Sequence, residues 1–157
     1  MTTRTHACLR WMIRRDIPFV LDIERHSFEI PWTEEEFLLV LRQKNCIGIV
    51  SELENDVVGF MIYEVHKTRI HILSFGVHPD FRLQGIGTAM VEKIVSKLKY
   101  QYRNRIVLEV RETNVTAQVF FRQLGFRAVR TLKSFYEDTA EDVYVMEYRI
   151  SDECVNC

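Results

Sequence analysis

The first half of the chain alternates between helix-like and strand-like spacing of its apolar residues. A short strand is predicted at 9–14, and a helix with Asp16 as its N-cap continues to about residue 27. A second helix begins at Thr33, which opens a capping box with a Glu three positions later. Asn55-Asp56 predicts a hairpin turn among the strands that come next. These strand-like runs occupy 46–51, 57–65 and 70–77.

The second half carries helix, strand and helix in succession and ends in two further strands. The predicted helices occupy 87–102 and the segment after an Asn114 cap, and Gly125 is placed at the C′ position of the second. The predicted strands lie at 106–111, 126–131 and 143–150, with a loop at 134–141. This order predicts an α/β fold class with a central mixed sheet of six to seven strands, about four flanking helices and a βαβ unit.

Length and composition are typical of one domain. The 157 residues predict a single domain, with its core at about 9–150 and a tail at 151–157. The formal net charge of −1 gives no support for nucleic acid or an acidic membrane as a partner. No run approaches the roughly 20 apolar residues of a membrane helix, and the first residues lack the apolar region of a secretory signal. The expected compartment is therefore the cytoplasm. The sequence does not distinguish a monomer from a dimer.

The spacing of the cysteines and histidines matches no metal-binding motif. Cys154 and Cys157 form a CxxC at the end of the chain, but no second pair completes the four ligands of a structural zinc. The histidines are better assigned to surface or turn positions, namely His6, His26, His66, His71 and His78. We expect no metal.

A glycine loop after the third strand-like run carries the most specific signal in the sequence. The run ends near Val77, a turn follows, and the loop leads directly into a helix. Gly85 and Gly87 lack a Cβ, so a ligand can approach the backbone closely, and the amides at a helix start attract an anion such as a pyrophosphate. The spacing fits neither a Walker loop nor the Rossmann pattern, which needs a third Gly where Met90 stands. A plain helix-entry turn is the alternative.

Glu109 stands in the middle of an apolar strand. Val107, Glu109 and Arg111 share one face on a period of two. A carboxylate buried there costs free energy, and desolvation would raise its pKa toward the range of a general base. The alternative is an edge-facing Glu paired with Arg111 or another cation.

The glycine loop resembles that of the GNAT superfamily, which carries Arg or Gln, two residues, Gly, one residue, and then Gly or Ala. Within this superfamily the chain is most similar to the RimI-type N-terminal acetyltransferases over about 9–148. That similarity lies in Ile23-Glu24, Phe28, Pro31-Trp32, Leu108-Glu109-Val110-Arg111, Thr113-Asn114, Leu124-Gly125-Phe126, Phe135-Tyr136 and Glu141-Asp142. The resemblance implies a GNAT fold, acetyl-CoA as the acetyl donor, and Glu109 as the base, acting through water. It also implies a protein N-terminus as acceptor, for example the N-terminal alanine of a ribosomal protein.

The same resemblance assigns residues to the donor and the acceptor. A backbone N–H near Gly76 or Val77 would hold the thioester oxygen. The residues expected at acetyl-CoA are Phe75, Gly76, Val77, Arg82, Leu83, Gln84, Gly85, Ile86, Gly87, Thr88, Asn114 and Phe121. Asn114 either contacts the pantetheine arm or only caps its helix. Those expected at the acceptor peptide, unless they are simply core, are Phe28, Pro31, Trp32, Phe135 and Tyr136.

One position departs from the family pattern. Phe121 stands where RimI-type enzymes carry the Tyr proposed to protonate the departing thiolate. Our hypothesis is that Tyr136 takes that catalytic role, with a plain peptide contact as the alternative for Tyr136. A water or the ammonium of the intermediate is the alternative source of the proton. Two other functions stay open: acetylation of a small-molecule amine or a lysine, and an acetyl-CoA-binding module with weak catalysis.

Overall fold

The computed structural model describes residues 7–27, 32–100, 103–136 and 141–150, with the backbone alone at 26–27, 99–100 and 134–136. The strands are β1 (Cys8–Trp11), β2 (Cys46–Leu53), β3 (Asp56–Val65), β4 (Arg69–Val77), β5 (Arg105–Arg111), β6 (Arg127–Tyr136) and β7 (Glu141–Arg149). The helices are α1 (Ile17–Ser27), α2 (Glu34–Leu41), α3 (Ile86–Tyr100) and α4 (Val115–Gln123). No helix in these ranges is long and apolar enough to cross a membrane.

The seven strands form one mixed sheet in the order β1-β2-β3-β4-β5-β7-β6. The β4–β5 pair is parallel, whereas β1–β2, β2–β3, β5–β7 and β6–β7 are antiparallel. The predicted fold class, a mixed sheet with four helices, is thereby confirmed. The chain divides into two compact units, Met1–Val65 with Ile72–Ile94, and His66–His71 with Val95–Cys157.

In the first unit, α1 and α2 bury their apolar faces in one cluster with strands β2 and β3. Phe37 on α2 is fully buried, and its ring centroid lies 5.9 Å from that of Phe60 on β3. Thr33 caps α2 as predicted, because its side chain accepts a hydrogen bond from the Glu36 amide at 3.2 Å. The buried members of the cluster are Ile17, Val20, Leu21, Ile23, Phe37, Val50, Phe60 and Ile62.

The second unit has an aromatic core. The centroids of Phe121 and Phe126 lie 5.2 Å apart, and Phe126 lies 5.5 Å from Tyr148. Gly125 ends α4 with a φ of +96°, which confirms the predicted C′ glycine. A Cβ at this position would also stand 3.3 Å from the Tyr148 ring, so both the backbone and the packing select glycine.

Predictions at the start of α1 are wrong. β1 ends at Trp11, and a 3-10 turn at Arg14–Asp16 precedes α1. Asp16 does not cap α1, because its carboxylate accepts from the Ile13 amide and from the Arg10 guanidinium, both at 2.8 Å. Hydrogen bonding to Arg10 holds the pKa of Asp16 below its usual range.

The loop predicted at 134–141 also has the wrong bounds. β6 continues to Tyr136, and β7 begins at Glu141. The pairing of these two strands shifts register between Ala128 and Arg130, and again between Leu132 and Tyr136. Such bulges insert unpaired residues and break the period of two, which made the strand look shorter in sequence.

Candidate active site

The glycine loop has the strand, turn and helix context that its sequence predicted. β4 ends at Val77, a 3-10 turn occupies Pro79–Phe81, and α3 begins at Ile86. The Arg82 side chain does not extend freely, because its Nε donates to the Val77 carbonyl at 3.2 Å. Arg82 thus ties the beginning of the loop back to the end of the strand.

Positive backbone angles shape the loop just before α3. Leu83 has a φ of +64° and Gly85 a φ of +81°, and the Leu83 side chain is fully exposed. A Cβ built on Gly85 would meet no atom within 4 Å, so the space over its backbone is open. The first helical hydrogen bond runs from the Ala89 amide to the Gly85 carbonyl at 3.0 Å.

The start of α3 therefore suits a pyrophosphate. The amides of Ile86, Gly87 and Thr88 precede the first helical bond and have no acceptor within the helix. These amides and the positive end of the helix dipole favour an anion in the open space over Gly85. The binding of the acetyl-CoA phosphates at this cradle and the other contacts predicted along 75–88 stay predictions.

The β5–α4 turn presents Asn114 as a helix cap. Its side-chain oxygen accepts from the Ala117 amide at 3.1 Å. Buried Glu141 secures the turn from β7, because it accepts a hydrogen bond from Thr113 and lies 3.4 Å from the Arg111 guanidinium. The capping role predicted for Asn114 is thus observed, and its contact with the pantetheine arm stays a prediction.

Phe121 lies in the aromatic core of the second unit and is 3% exposed. Its ring centroid is 5.0 Å from that of Phe120. A phenyl ring offers no proton, so this position carries no general acid. Its predicted contact with acetyl-CoA stays a prediction.

Glu109 is paired with a histidine that the sequence analysis did not select. Its Oε2 lies 2.7 Å from Nε2 of His71 on β4, and the parallel register places His71 opposite Val107, two residues before Glu109. The buried setting expected for Glu109 is wrong, since its side chain is 35% exposed. β5 buries Ile106, Leu108 and Val110, and the alternate residues face the open side.

The two side chains share a groove of about 510 Å³ on the open face of the second unit. His71, which was expected to have only a surface or turn role, therefore lies beside the candidate base. The signal available in the sequence was a pair of polar residues, each inside an apolar strand, in the two parallel strands of one βαβ unit.

A second carboxylate, Glu24 on α1, is almost completely buried in the first unit at 2% exposure. It accepts a hydrogen bond from the Trp32 amide at 3.2 Å and contacts the Ser74 hydroxyl on β4 at 3.5 Å. Burial raises the pKa of Glu24 to about 7, against the lowering effect of these two donors. The sequence singled out Glu24 only by family resemblance and gave it no function.

The structure describes only some of the residues predicted to contact the acceptor peptide. Trp32 is half-buried, packs on the first-unit core, and has its ring centroid 5.1 Å from that of Phe37. Phe28 and Pro31 lie outside the described residues. Phe135 and Tyr136 belong to β6, and the described part of these two residues is their backbone. Contact of all these residues with a peptide, and the catalytic role of Tyr136, stay predictions.

Comparison with known proteins shows the family to which the chain belongs. The model of the acetyltransferase (GNAT) family matches residues 17–126. An uncharacterised N-acetyltransferase of Methanocaldococcus jannaschii is 33% identical over 88% of both chains. The ribosomal protein bS18-alanine N-acetyltransferase of Escherichia coli is 26% identical over 87% of this chain and 93% of its own. The structure of Ard1 from Thermoplasma volcanium is 27% identical over 93% and 99% of the two chains, with a TM-score of 0.84.

Proposed function

The chain belongs to the GNAT acetyltransferase family and is an acetyl-CoA-dependent N-acetyltransferase, and we propose that Glu109, oriented by His71, deprotonates the N-terminal α-amine of a protein acceptor. The N-terminal alanine of a ribosomal protein is the first candidate, since a similar protein acts there. The observation that carries the proposal is the 2.7 Å contact between Glu109 and His71 in an open groove. The compartment we propose is the cytoplasm, with which the free thiols of Cys8 and Cys46 agree.

An α-amine suits a carboxylate base better than a lysine does. With a pKa near 8, about a tenth of an α-amine is uncharged at pH 7, whereas about one lysine in 2,500 is uncharged at a pKa near 10.4. A weak base such as a carboxylate is therefore sufficient to deprotonate an N-terminal amine. This difference favours an N-terminus over a lysine side chain or a polyamine.

The geometry gives Glu109 and His71 different roles. With Glu109 ionised, the Nε2–H tautomer of His71 donates to Oε2 and orients the carboxylate. Oε1 then accepts the proton of the acceptor amine, directly or through water. His71 is thus a positioning residue for the base.

Acetyl-CoA, when bound, supplies the acetyl group as a reactive thioester. The chain's part in binding it is the amide cradle at the start of α3, with Gly85 leaving the backbone accessible. Phe121 cannot protonate a leaving group, so Tyr136 is our candidate for that proton. Turnover by Tyr136→Phe equal to that of the unchanged enzyme would remove Tyr136 from the mechanism.

The direct test is acetyl-CoA turnover on a panel of N-terminal peptides, with the acetylated atom located by mass spectrometry. We expect acetylation at the α-amine and a loss of at least about 100-fold in kcat for Glu109→Gln, the usual scale of general-base catalysis. His71→Gln should lower kcat by about tenfold, because it removes orientation and leaves the carboxylate in place. Glu92→Gln, an exposed change on α3, is the matched control and should leave kcat unchanged.

Two results would contradict the proposal at different points. Acetylation confined to lysine side chains or free polyamines would refute the acceptor class. Full activity in Glu109→Gln would refute the base, even if the α-amine is the acceptor.

A further inference from the structure

The groove beside Glu109 also holds an unusual row of like charges. Arg69 on β4 is paired in register with Arg105 on β5, and Arg105 is paired with Arg149 on β7. All three line the groove. Residues directly opposite on neighbouring strands have Cβ atoms about 5 Å apart, and like charges at such positions repel each other. We call Arg69, Arg105 and Arg149 the arginine row.

The described part of the chain neutralises only one member of this row. Arg149 donates to Glu147 at 2.9 Å, whereas Arg69 and Arg105 form no ion pair with any described residue. Arg130 on β6 lines the same groove and likewise has no ion pair within the described ranges. Among the described residues that line the groove, four are arginines and two, Glu109 and Glu147, carry a carboxylate, which leaves two positive charges in excess in a chain whose net charge is −1.

We propose that the arginine row binds acidic side chains of the acceptor polypeptide, about four residues downstream of the N-terminus that is acetylated. This inference rests on the proposed function, because it takes the acceptor amine to lie at Glu109. The proposal names a substrate class: N-termini followed by Asp or Glu near positions 4 to 6.

The distance along β5 sets the expected position of the acidic residue. Arg105 precedes Glu109 by four residues, which is about 13 Å along a strand at about 3.3 Å per residue. An extended peptide advances by a similar amount per residue. With residue 1 at Glu109, residue 5 reaches the level of the arginine row. Guanidinium groups bind carboxylates through two parallel hydrogen bonds, so each arginine suits such a side chain.

The rest of the groove favours a peptide over a nucleic acid. Val107 lies between Glu109 and Arg105 on the same face, and Val129 and Val145 extend this apolar floor. No aromatic side chain is among the described residues that line it, so the groove offers no surface for base stacking. The carboxylates of Glu109 and Glu147 would also repel phosphates.

The experiment compares two peptides that share their first three residues and carry either Asp or Ser at positions 4 to 6. We expect the unchanged enzyme to have a KM at least fivefold lower for the Asp peptide, and this ratio should fall as salt is raised. In Arg69→Gln/Arg105→Gln the KM for the Asp peptide should rise to that of the Ser peptide. Arg122→Gln, an exposed change on α4, is the matched control and should keep the fivefold preference.

A binding measurement keeps the test independent of turnover. The N-acetylated Asp peptide, labelled at its C-terminus, is titrated with each protein and followed by fluorescence anisotropy. We expect binding by the unchanged protein that weakens at least fivefold in the double variant. The melting temperature of the double variant should not fall, because the change removes repulsion and no described ion pair.

Several results would overturn the inference. Equal KM values for the two peptides in the unchanged enzyme would do so, while α-amine acetylation itself would leave the proposed function intact. A preference that survives in Arg69→Gln/Arg105→Gln would place its origin elsewhere. Binding of a 20-nucleotide single-stranded RNA that depends on the arginine row, without any preference for Asp, would assign the row to nucleic acid instead.

Discussion

Replacing the buried Glu24 by glutamine should make the protein more stable at alkaline pH. The Glu24 carboxyl is 2% exposed, and burial is the largest cause that raises its pKa from 4.5 to about 7. The Trp32 amide and the Ser74 hydroxyl act in the opposite direction, and the negative charge of Glu36 adds a small further increase. Ionised Glu24 is therefore a cost to the folded state.

The sign and the size follow from linkage. The folded protein holds the Glu24 proton up to about pH 7, whereas the unfolded chain releases it near pH 4.5. The contribution of Glu24 to stability is therefore largest below pH 4.5, declines between pH 4.5 and 7, and is lost above pH 7. The separation between these two pKa values corresponds to about 3 kcal/mol of unfolding free energy.

Glutamine retains the shape of the side chain and does not titrate. Its single oxygen keeps the bond from Trp32, and the altered contact with Ser74 costs about 1 kcal/mol. At pH 8 we therefore expect Glu24→Gln to be about 2 kcal/mol more stable than the unchanged protein, which combines the two effects. At pH 4 the variant should be about 1 kcal/mol less stable.

The assay is urea unfolding followed by circular dichroism at several pH values from 4 to 8. Glu35→Gln, an exposed change on α2, is the matched control and should follow the unchanged protein at every pH. The reasoning is refuted if the curves of Glu24→Gln and the unchanged protein run parallel across this range. Parallel curves would mean that the Glu24 carboxyl has the same proton affinity in both states.

Three further changes test the cradle, a cap and a partly buried ion pair. Gly85→Ala has room for its methyl group but must keep a φ of +81°, so it should cost about 1 kcal/mol in urea unfolding and raise the KM for acetyl-CoA at least tenfold; an unchanged KM would separate the cradle from the donor. Asn114→Ala should cost about 1 kcal/mol through the lost cap, whereas Asn114→Asp should retain stability; a raised acetyl-CoA KM in Asn114→Asp would reveal a contact beyond capping. Asp16→Ala should cost about 2 kcal/mol, because it removes the charge-assisted hydrogen bonds that the Asp16 carboxylate accepts from Arg10 and Ile13, while Arg10 keeps Glu52; a loss below about 0.5 kcal/mol would contradict that.

Local signals in the sequence predicted the local structure well. Thr33 and Asn114 were predicted as caps because a helix start is specified by one side chain and the amides that follow it. Gly125 was predicted for the same kind of reason, since the C′ position of a helix selects glycine without reference to distant residues. Gly85 was predicted from the space that a missing Cβ leaves for a ligand, and its φ of +81° is an additional finding. Asp16 failed as a cap because its carboxylate is taken by the Arg10 guanidinium, six residues earlier on β1, and by the Ile13 amide.

Features that depend on strand register were beyond the sequence. His71 meets Glu109 across 38 residues because β4 and β5 run in parallel with residue 71 opposite residue 107. A one-residue shift in this pairing would place the imidazole on the other face of the sheet. The exposure of Glu109 has the same origin, because an alternating strand can open either of its faces to water.

The arginine row shows why register also matters for function. Arg69, Arg105 and Arg149 are separated by 36 and 44 positions, and nothing in their local sequence relates them to each other. Pairing of β4 with β5, and of β5 with β7, brings them to the same level of the sheet. The repulsion among these arginines destabilises the folded protein, and among the described residues that line the groove only Glu147 forms an ion pair with a member of the row. A ligand with carboxylates would remove the remaining repulsion when it binds. The free energy released in this way would favour binding of an acidic acceptor over a neutral one.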